Sequence, residues 1–314
     1  MRYGFGIDLG GTTVKLAYFD ETGKMLDKWE IPTVVANHGQ EILPDIAYSI
    51  RKYMDRNEID PADIIGVGLG VPGPVDNAGV VNKCVNLGWG VFNVAETLSN
   101  LMGFPVKAGN DANVAALGEF WKGSGAGSKN MVLVTLGTGV GGGIVINGRL
   151  LHGTHGSAAE IGHMVLNRDE TERCNCGKRG CAEQYCSATG IVRMALKLMQ
   201  SCSDDSMMRS IQPLTCRDIF ECSQAGDQLA WKVLDQYYAY LGEFLANLCN
   251  VVDPEVVVIG GGVSRAGQQL LTGARPHFKR YVFHANTEAR FALASLGNDA
   301  GAYGAFKLIL DTAK

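Results

Sequence analysis

Short apolar runs that end in glycines form the most regular pattern of the chain. Residues 1–20 contain an apolar run ending in IDLGGTT, then VKLAYFD, then the turn signal ETGK. Residues 131–147 repeat this order as MVLVTLGTGVGGGIVIN, followed by RLL after the turn NG. When Asp8 is aligned with Thr135, the two glycine turns coincide. Each stretch predicts strand, glycine turn, strand, tight turn and strand, so the chain contains an internal duplication.

Further apolar segments fill out both halves. IIGVGLGVPGP at 64–74 and VVVIGGGVS at 256–264 predict one more buried strand in each half, with glycines at its carboxyl end. Residues 40–57 predict a helix because Ile42, Ile46, Ile50 and Met54 recur every four positions. Helices are also predicted at 112–121, 227–252 and 300–312, and the polar stretch 201–218 predicts a surface loop before a helix capped near Thr215. The pattern as a whole indicates a two-domain α/β protein.

Composition and charge limit the class of partner. The chain has 314 residues, of which 46% are hydrophobic and 19% charged, and its net charge is -4. This acidic balance gives no reason to expect nucleic acid or an anionic membrane as the main partner, so a small molecule is favoured. MRYGFGIDLGG has no apolar segment of signal-peptide length, and no run of about 18 apolar residues occurs, so we expect a cytoplasmic protein that spans no membrane.

Three glycine-rich turns lie at predicted strand ends: DLGGTT at 8–13, LGTGVGGG at 136–143 and IGGGVS at 259–264. Glycines let backbone N–H groups approach a phosphate, and threonine hydroxyls add donors. A single such turn is equally compatible with a purely structural role. Three of them together favour a nucleotide, and Asp8 before the first turn could hold a hydrated Mg²⁺.

One carboxylate stands at the beginning of a predicted helix. In KAGNDANVAALGEF at 107–120, either Asn110 or Asp111 could cap the helix. In a phosphoryl transferase Asp111 has a second use, because it can accept the proton of an attacking hydroxyl. Both roles remain open for Asp111 on the residues alone.

Four of the nine cysteines fall within CNCGKRGCAEQYC at 174–186. The segment could be a metal site, a redox switch or a disulfide knot. A disulfide is the weakest alternative, since thiols stay reduced in the cytoplasm and the cysteine count is odd. The spacing C-x-C-x₄-C differs from the common zinc-finger pattern. It therefore favours a zinc site over a redox switch only modestly.

Eight ordered motifs resemble the ROK family of sugar kinases and repressors, and among them most closely the bacterial ROK-type glucokinases. They are DLGGTTVK at 8–15, VPGPVD at 71–76, NLGW at 86–89, NDAN at 110–113, LGTGVGGG at 136–143, EIGH at 160–163, CNCGKRGCAE at 174–183 and GGGVS at 260–264. The resemblance extends to GNDAGAYGA at 297–305. It implies a duplicated actin-like ATPase (ribonuclease H-like) α/β fold with two domains and an active-site cleft. The expected small domain is 1–117 plus 300–314, and the large domain is 118–299.

The resemblance also implies roles for residues at matching positions. Asp111 would be the general base that deprotonates the sugar 6-hydroxyl. The other expected sugar-binding residues are Gly73, Asn86, Asn110, Glu160, His163 and Glu183. The expected nucleotide-binding residues are Asp8, Gly10, Gly11, Thr12, Thr13, Gly137, Thr138, Gly139, Gly261 and Gly262. The role of Lys15, inside the first motif, stays open.

With the family pattern in view, His163 becomes the fourth ligand of a closed zinc site with Cys174, Cys176 and Cys181. One ring nitrogen of His163 would bind zinc while the other faces a sugar hydroxyl. The metal would be structural and would fix the loop that carries Glu160 and Glu183. Cys186 is expected not to be a ligand.

The expected activity is phosphorylation of glucose at O6 by ATP with Mg²⁺. N-acetylglucosamine, N-acetylmannosamine, allose and fructose remain alternative substrates, and polyphosphate an alternative donor. A sugar-sensing repressor is the remote alternative, disfavoured because only seven residues precede Asp8 and the chain is acidic. The family suggests a homodimer.

Overall fold

The computed structural model describes residues 1–312, so the last two positions of the expected small domain, 313 and 314, lie outside the described residues. A five-stranded sheet forms the first half. Its strands are β1 Tyr3–Leu9, β2 Thr13–Asp20, β3 Met25–Pro32, β4 Ile64–Val71 and β7 Val106–Asn110, in the order β3-β2-β1-β4-β7. The β1–β2–β3 meander is antiparallel, and β4 runs parallel to both β1 and β7. All eight residues of β4 are buried, as is typical of a central strand in a covered sheet.

A second five-stranded sheet repeats this topology. Its strands are β8 Met131–Leu136, β9 Val140–Ile146, β10 Arg149–Leu150, β11 Val256–Gly260 and β12 Arg290–Leu293, in the order β10-β9-β8-β11-β12. β11 runs parallel to β8 and to β12. Both meanders therefore occur as predicted, and the shared strand order matches the expected duplication. A separate small sheet pairs β5 Val80–Cys84 with β6 Trp89–Asn93.

Ten helices accompany the sheets in the described residues: α1 Ala36–Gly39, α2 Ile42–Arg56, α3 Val94–Met102, α4 Asp111–Lys122, α5 Glu183–Cys186, α6 Ala188–Ser201, α7 Cys216–Gln224, α8 Gln228–Val252, α9 Gln268–Tyr281 and α10 Ala300–Thr312. The predicted stripe of α2 is buried at Ile42, Ile46, Ile50 and Met54. Thr215 caps α7 through a reciprocal capping box with Asp218, which confirms the predicted cap. Within residues 1–312, no helix is long and apolar enough to cross a membrane.

Two predicted strands are shorter than their apolar runs. β4 ends at Val71 rather than continuing to 74, and β11 ends at Gly260 rather than continuing to 264. At Gly261 the chain takes φ = 82°, and a Cβ there would lie 2.5 Å from the Leu136 carbonyl oxygen. The chain therefore leaves the sheet at a position where only glycine fits.

Contacts divide the chain into two compact units. The first comprises Met1–Gly127, Gly143–Ala159 and the described residues from Ser295 onward, and the second comprises Ser128–Gly142 and Glu160–Ala294. The first unit thus includes 118–127, 143–159 and 295–299, which the sequence-based boundaries assigned to the large domain. The buried Glu119 carboxylate explains part of this difference, because it accepts backbone N–H groups of Ser295 (3.2 Å) and Leu296 (2.8 Å).

The C-terminal helix α10 packs closely within the first unit. A Cβ at Gly6 would lie 2.1 Å from the Ala302 carbonyl oxygen, and one at Gly68 would lie 1.7 Å from that of Ala305. Missing side chains on β1 and β4 therefore let the helix backbone lie directly on the sheet. As expected from the resemblance, the terminal helix completes the N-terminal half.

Candidate active site

The first glycine turn joins β1 to β2 and carries Gly10, Gly11, Thr12 and Thr13. The Gly10 N–H donates to the Thr13 carbonyl at 3.0 Å. Thr33, the residue after β3, also fixes the turn, because its hydroxyl donates to the Gly10 carbonyl at 2.7 Å. Gly11 and Thr12 are exposed, and a Cβ at Gly11 would contact nothing within 4 Å. The turn is thus fixed at its base and open at its tip, as an anion-binding turn requires.

Asp8 lies just before this turn, directly opposite Lys15 in the β1–β2 pairing. The Lys15 ammonium is 3.6 Å from the Asp8 carboxylate. Burial raises the pKa of Asp8, and the neighbouring Lys15 charge opposes that shift. Gly301 of α10 closes over the carboxylate, because a Cβ there would lie 2.6 Å from Asp8 Cγ. Lys15 therefore forms an ion pair with Asp8 at the base of the turn.

Asp111 is the first residue of α4, and Asn110 is the cap. The Asn110 side chain accepts the Asn113 N–H at 3.1 Å and donates to the Gly73 carbonyl at 3.0 Å. Asp111 Oδ1 accepts the Ala112 N–H at 2.8 Å, and its side chain is half-buried. The choice between two caps is therefore settled in favour of Asn110. Asp111 holds its negative charge at the positive end of a helix dipole instead.

Cys84 lies directly before the segment that carries Asn86. Burial raises the pKa of Cys84, backbone N–H groups of Leu87 and Asn86 lower it, and the Asp111 carboxylate raises it. A Cβ on Gly73, which has φ = 115°, would lie 3.7 Å from Cys84 Cβ. The first unit thus brings Gly73, Asn110 and Asp111 together, and the exposed Asn86 lies in the turn that follows Cys84.

The second glycine turn carries Gly137, Thr138 and Gly139. Its base is closed by the Gly137 N–H, which donates to the Gly139 carbonyl at 2.9 Å. The Val140 N–H then donates to Glu183 Oε2 at 3.1 Å. A Cβ on Gly139 would lie only 2.3 Å from that same oxygen. Glu183 is therefore packed against the turn predicted to bind phosphate, a contact that sequence reasoning missed.

The zinc ligands predicted from the sequence lie together. Ligand atoms of His163, Cys174, Cys176 and Cys181 all fall within 4.8 Å of one another. Cys176 and Cys181 Sγ atoms are 3.6 Å apart, and Cys174 Sγ is 3.8 Å from His163 Nδ1. Tetrahedral Zn–S bonds of about 2.3 Å place two sulfurs about 3.8 Å apart, so the four residues fit zinc. All nine cysteines are free, so the cluster is not a disulfide knot.

Cys186 lies outside this ligand group within the described residues, as predicted. It is fully buried on α5, and burial raises the pKa of its thiol far above the usual value. Because His163 turns Nδ1 toward Cys174, its Nε2 is the nitrogen left for another partner. The 160–163 turn packs on the second glycine turn, since a Cβ on Gly162 would lie 2.2 Å from the Val140 carbonyl oxygen. Glu160 precedes this turn and is exposed.

An ionic network around the buried Glu170 carboxylate anchors the segment that carries the candidate zinc ligands, residues 163–181, hereafter the zinc loop. Sequence reasoning missed this network. Glu170 Oε2 accepts the Tyr185 hydroxyl at 2.5 Å and an Arg193 N–H at 2.8 Å. Burial would raise the pKa of Glu170, but hydrogen bonds from Tyr185, the Glu172 backbone and Arg193 lower it to about 2. Arg193 also donates to Glu172 at 2.9 Å and stacks over the Tyr185 ring. The network ties both sides of the loop to α6 without using a zinc ligand.

The third glycine turn borders a cavity of about 620 Å³ in the second unit. Gly261 begins the turn, and Gly262 lines the cavity. Sequence reasoning missed the rest of the wall, which comes from Ala188 at the beginning of α6, from Thr215 and α7, and from the turn after Gly262. Its larger side chains are Arg217, Phe220, Glu221, Gln224 and Arg265. The only sequence signal for them was the capped helix after the polar stretch.

Comparisons with known proteins extend over nearly the whole chain. A family model described as the ROK family matches residues 4–312. A glucokinase from Halalkalibacterium halodurans is 44% identical, over 96% of this chain and 93% of that protein. The N-acetylgalactosamine kinase AgaK from a Shewanella species is 31% identical, over 96% and 94%. A ROK family glucokinase from Streptomyces griseus, solved with glucose and AMPPNP, is 31% identical over 98% of both chains, with a TM-score of 0.77.

Proposed function

The chain belongs to the ROK family, and on that premise we propose that it transfers the γ-phosphoryl group of ATP to the 6-hydroxyl of glucose. The likeness to glucokinases supports a hexose kinase, and the actin-like ATPase fold supports ATP as its nucleotide. The observation that carries the proposal is the position of Asp111, a half-buried carboxylate that begins α4 directly after the N-cap Asn110.

In the proposed reaction, Asp111 accepts the proton of the glucose 6-hydroxyl as its oxygen attacks the γ-phosphorus. The bond from that phosphorus to the bridging oxygen breaks, and ADP leaves. Gly73, Asn86 and Asn110 hold neighbouring parts of the sugar, and Glu160, His163 and Glu183 accept or donate to its other hydroxyls. Paired hydrogen bonds of this kind discriminate against sugars that lack a hydroxyl.

Nucleotide binding is proposed for the three glycine turns. Gly10 to Thr13 and Gly137 to Gly139 offer backbone N–H and hydroxyl donors for the phosphates. Gly262 lines the cavity proposed for the adenosine, and Gly261 directly precedes it. Mg²⁺, when bound, would neutralise charge on the phosphates, and Asp8 is the carboxylate placed to hold its hydration shell. His163, Cys174, Cys176 and Cys181 would hold Zn²⁺ in a closed structural site.

A sugar panel tests the proposed substrate. ADP release is measured with glucose, N-acetylglucosamine, N-acetylmannosamine, allose and fructose at matched concentrations, with ATP or polyphosphate as donor. We expect kcat/KM to be at least about tenfold higher for glucose, because each misfit hydroxyl or acetamido group leaves buried polar groups unpaired. A higher kcat/KM for another sugar would replace glucose, and no turnover with any sugar would overturn the kinase.

We further propose that the enzyme works in the cytoplasm as a homodimer and does not bind nucleic acid. A need for ATP and nine free cysteines agree with the cytoplasm, and the net charge of -4 disfavours nucleic acid. Light scattering is expected to give about twice the 33.6 kDa chain mass. A monomer in light scattering, or a specific gel shift with DNA, would contradict these assignments.

A further inference from the structure

Residues 183–189, which follow the candidate zinc ligands, bind three backbone groups in and directly after the second glycine turn. The Gly137 carbonyl accepts the Ala188 N–H at 2.8 Å, and the Thr138 carbonyl accepts the Thr189 hydroxyl at 2.8 Å. The Val140 N–H donates to Glu183 at 3.1 Å. The tip of the turn is therefore held from one side by the beginning of α6.

The geometry of the peptide bond determines where the N–H groups of the turn point. A trans peptide is planar, so its C=O and the N–H of the next residue point to opposite sides. Because the Gly137 and Thr138 carbonyls point toward α6, the N–H groups of Thr138 and Gly139 point away from it. Those two N–H groups are the donors that a phosphate oxygen needs from such a turn.

We propose that Ala188 and Thr189 are positioning residues for the nucleotide phosphates, acting through the peptides of Gly137 and Thr138. The inference rests on the proposed ATP-dependent activity and deepens it. Thr189 lies outside the lining of the cavity proposed for the adenosine, whereas Ala188 also lines that cavity. Both residues orient backbone donors for the phosphates, so their loss weakens nucleotide binding more than sugar binding.

The N-terminus of α6 fixes the positions of Ala188 and Thr189. Ser187 is the buried N-cap of α6, and its hydroxyl accepts the Gly190 N–H at 3.0 Å. The same oxygen lies 2.9 Å from the Thr189 hydroxyl, which fixes an otherwise exposed side chain. Ala188 is the first helical residue, so its N–H has no partner within the helix. The glycine turn supplies that partner.

Two substitutions remove the two contacts separately. Thr189→Val deletes the hydroxyl and keeps the side-chain shape. Ala188→Pro deletes the N–H at a helix position that favours proline, and Ser187 already has the extended conformation (φ = -81°, ψ = 166°) that a following proline requires. Thr189→Ser keeps the hydroxyl. Thr272→Val is the matched control, since Thr272 makes a similar hydroxyl-to-carbonyl bond to Gln268 at 2.9 Å on α9.

Calorimetry with AMPPNP and Mg²⁺, and separately with glucose, measures both dissociation constants for each variant, alongside thermal unfolding. We expect Thr189→Val and Ala188→Pro each to raise the AMPPNP Kd about three- to tenfold, the range of one lost hydrogen bond. The glucose Kd should stay within about twofold of wild type. Thr189→Ser and Thr272→Val should match wild type for both ligands.

Equal AMPPNP affinity in Thr189→Val, Ala188→Pro and Thr272→Val would overturn the positioning role, as would equal weakening of AMPPNP and glucose binding. A wild-type protein that binds no AMPPNP would overturn the proposed function, and this inference with it. If one variant fails to fold, the other reports on the same turn through a different contact. The wild-type measurement thus distinguishes failure of the positioning role from failure of the proposed function.

Discussion

The first and second meanders of the duplication follow the same strand order, but different groups hold their glycine turns. At the first turn a charged pair, Asp8 and Lys15, sits beneath the glycines. At the second turn the positions aligned with these residues are Thr135 and Gly142, so the pair is missing. Residues 183–189 support the second turn instead, through Glu183 and Thr189. The two turns of the duplicated backbone are therefore supported differently, the first by a charged pair and the second by residues that follow a candidate zinc site.

The largest effect is expected from the carboxylate of the first unit. Asp111→Asn should bind glucose nearly as wild type does and lose about 10²–10⁴-fold in kcat, because an amide does not accept the hydroxyl proton. Calorimetry and the ADP-release assay measure the two quantities. Asp45→Asn, which changes a carboxylate in the first turn of α2, is the control and should leave kcat unchanged. Retained turnover in Asp111→Asn would remove Asp111 from its role.

The charged pair gives the next largest effect. Asp8→Asn should lower kcat/KM for ATP about 10- to 100-fold and raise the Mg²⁺ concentration needed for half-maximal rate. Its counterpart on the second turn, Thr135→Val, should change neither quantity by more than about twofold, since no charge is lost there. Rates are measured over a Mg²⁺ series. Similar behaviour of both variants would remove the contrast between the turns.

Zinc loss should act on sugar binding in the second unit. Metal analysis is expected to give one zinc per chain, and Cys176→Ser should lose the metal and raise the glucose Kd about tenfold. Cys176 is exposed, so the substitution disturbs little packing, and Cys202→Ser outside the cluster is the control. Chelation should weaken glucose binding before thermal unfolding changes. A zinc-free preparation with full glucose affinity would contradict the role of the loop.

The smallest effect on turnover is expected from the network behind the zinc loop. The pKa of Glu170 is lowered to about 2, so its contribution to stability is complete above about pH 4.5 and is lost as pH falls toward 2. Glu170→Gln should flatten the pH dependence of the free energy of unfolding in that window while kcat at neutral pH stays within about twofold. Denaturant unfolding at several pH values measures this. The exposed Glu288→Gln is the control, and an unchanged acid profile in Glu170→Gln would contradict the assignment.

Features encoded by short segments could be predicted from the sequence, and those that join distant segments could not. The α2 stripe, the Thr215 cap and both meanders follow from local periodicity and turn residues. Asn110 and Asp111 are both good capping residues, so only the contacts with Asn113 and Gly73 distinguish them. The zinc set needed the family pattern to join His163 to the cysteines.

The Glu170–Arg193 pair lies outside any motif. Its partners are 23 positions apart, and a lone charge on a helix face usually faces solvent. The cavity wall on α7 was hidden for a related reason, because polar side chains such as Arg217 and Gln224 are typical of exposed helices. Tertiary contacts also decide which glycine positions have no room for a side chain, as the contact of Gly139 with Glu183 demonstrates.

The identity of the product tests the central claim most directly. The wild-type protein is incubated with glucose, ATP and Mg²⁺, and the phosphorus and proton NMR spectra of the mixture are recorded. We predict one ADP for each sugar phosphate formed, with the phosphorus coupled to the two protons on C6 of glucose. Unchanged ATP, or a phosphate ester on another carbon, would contradict the account.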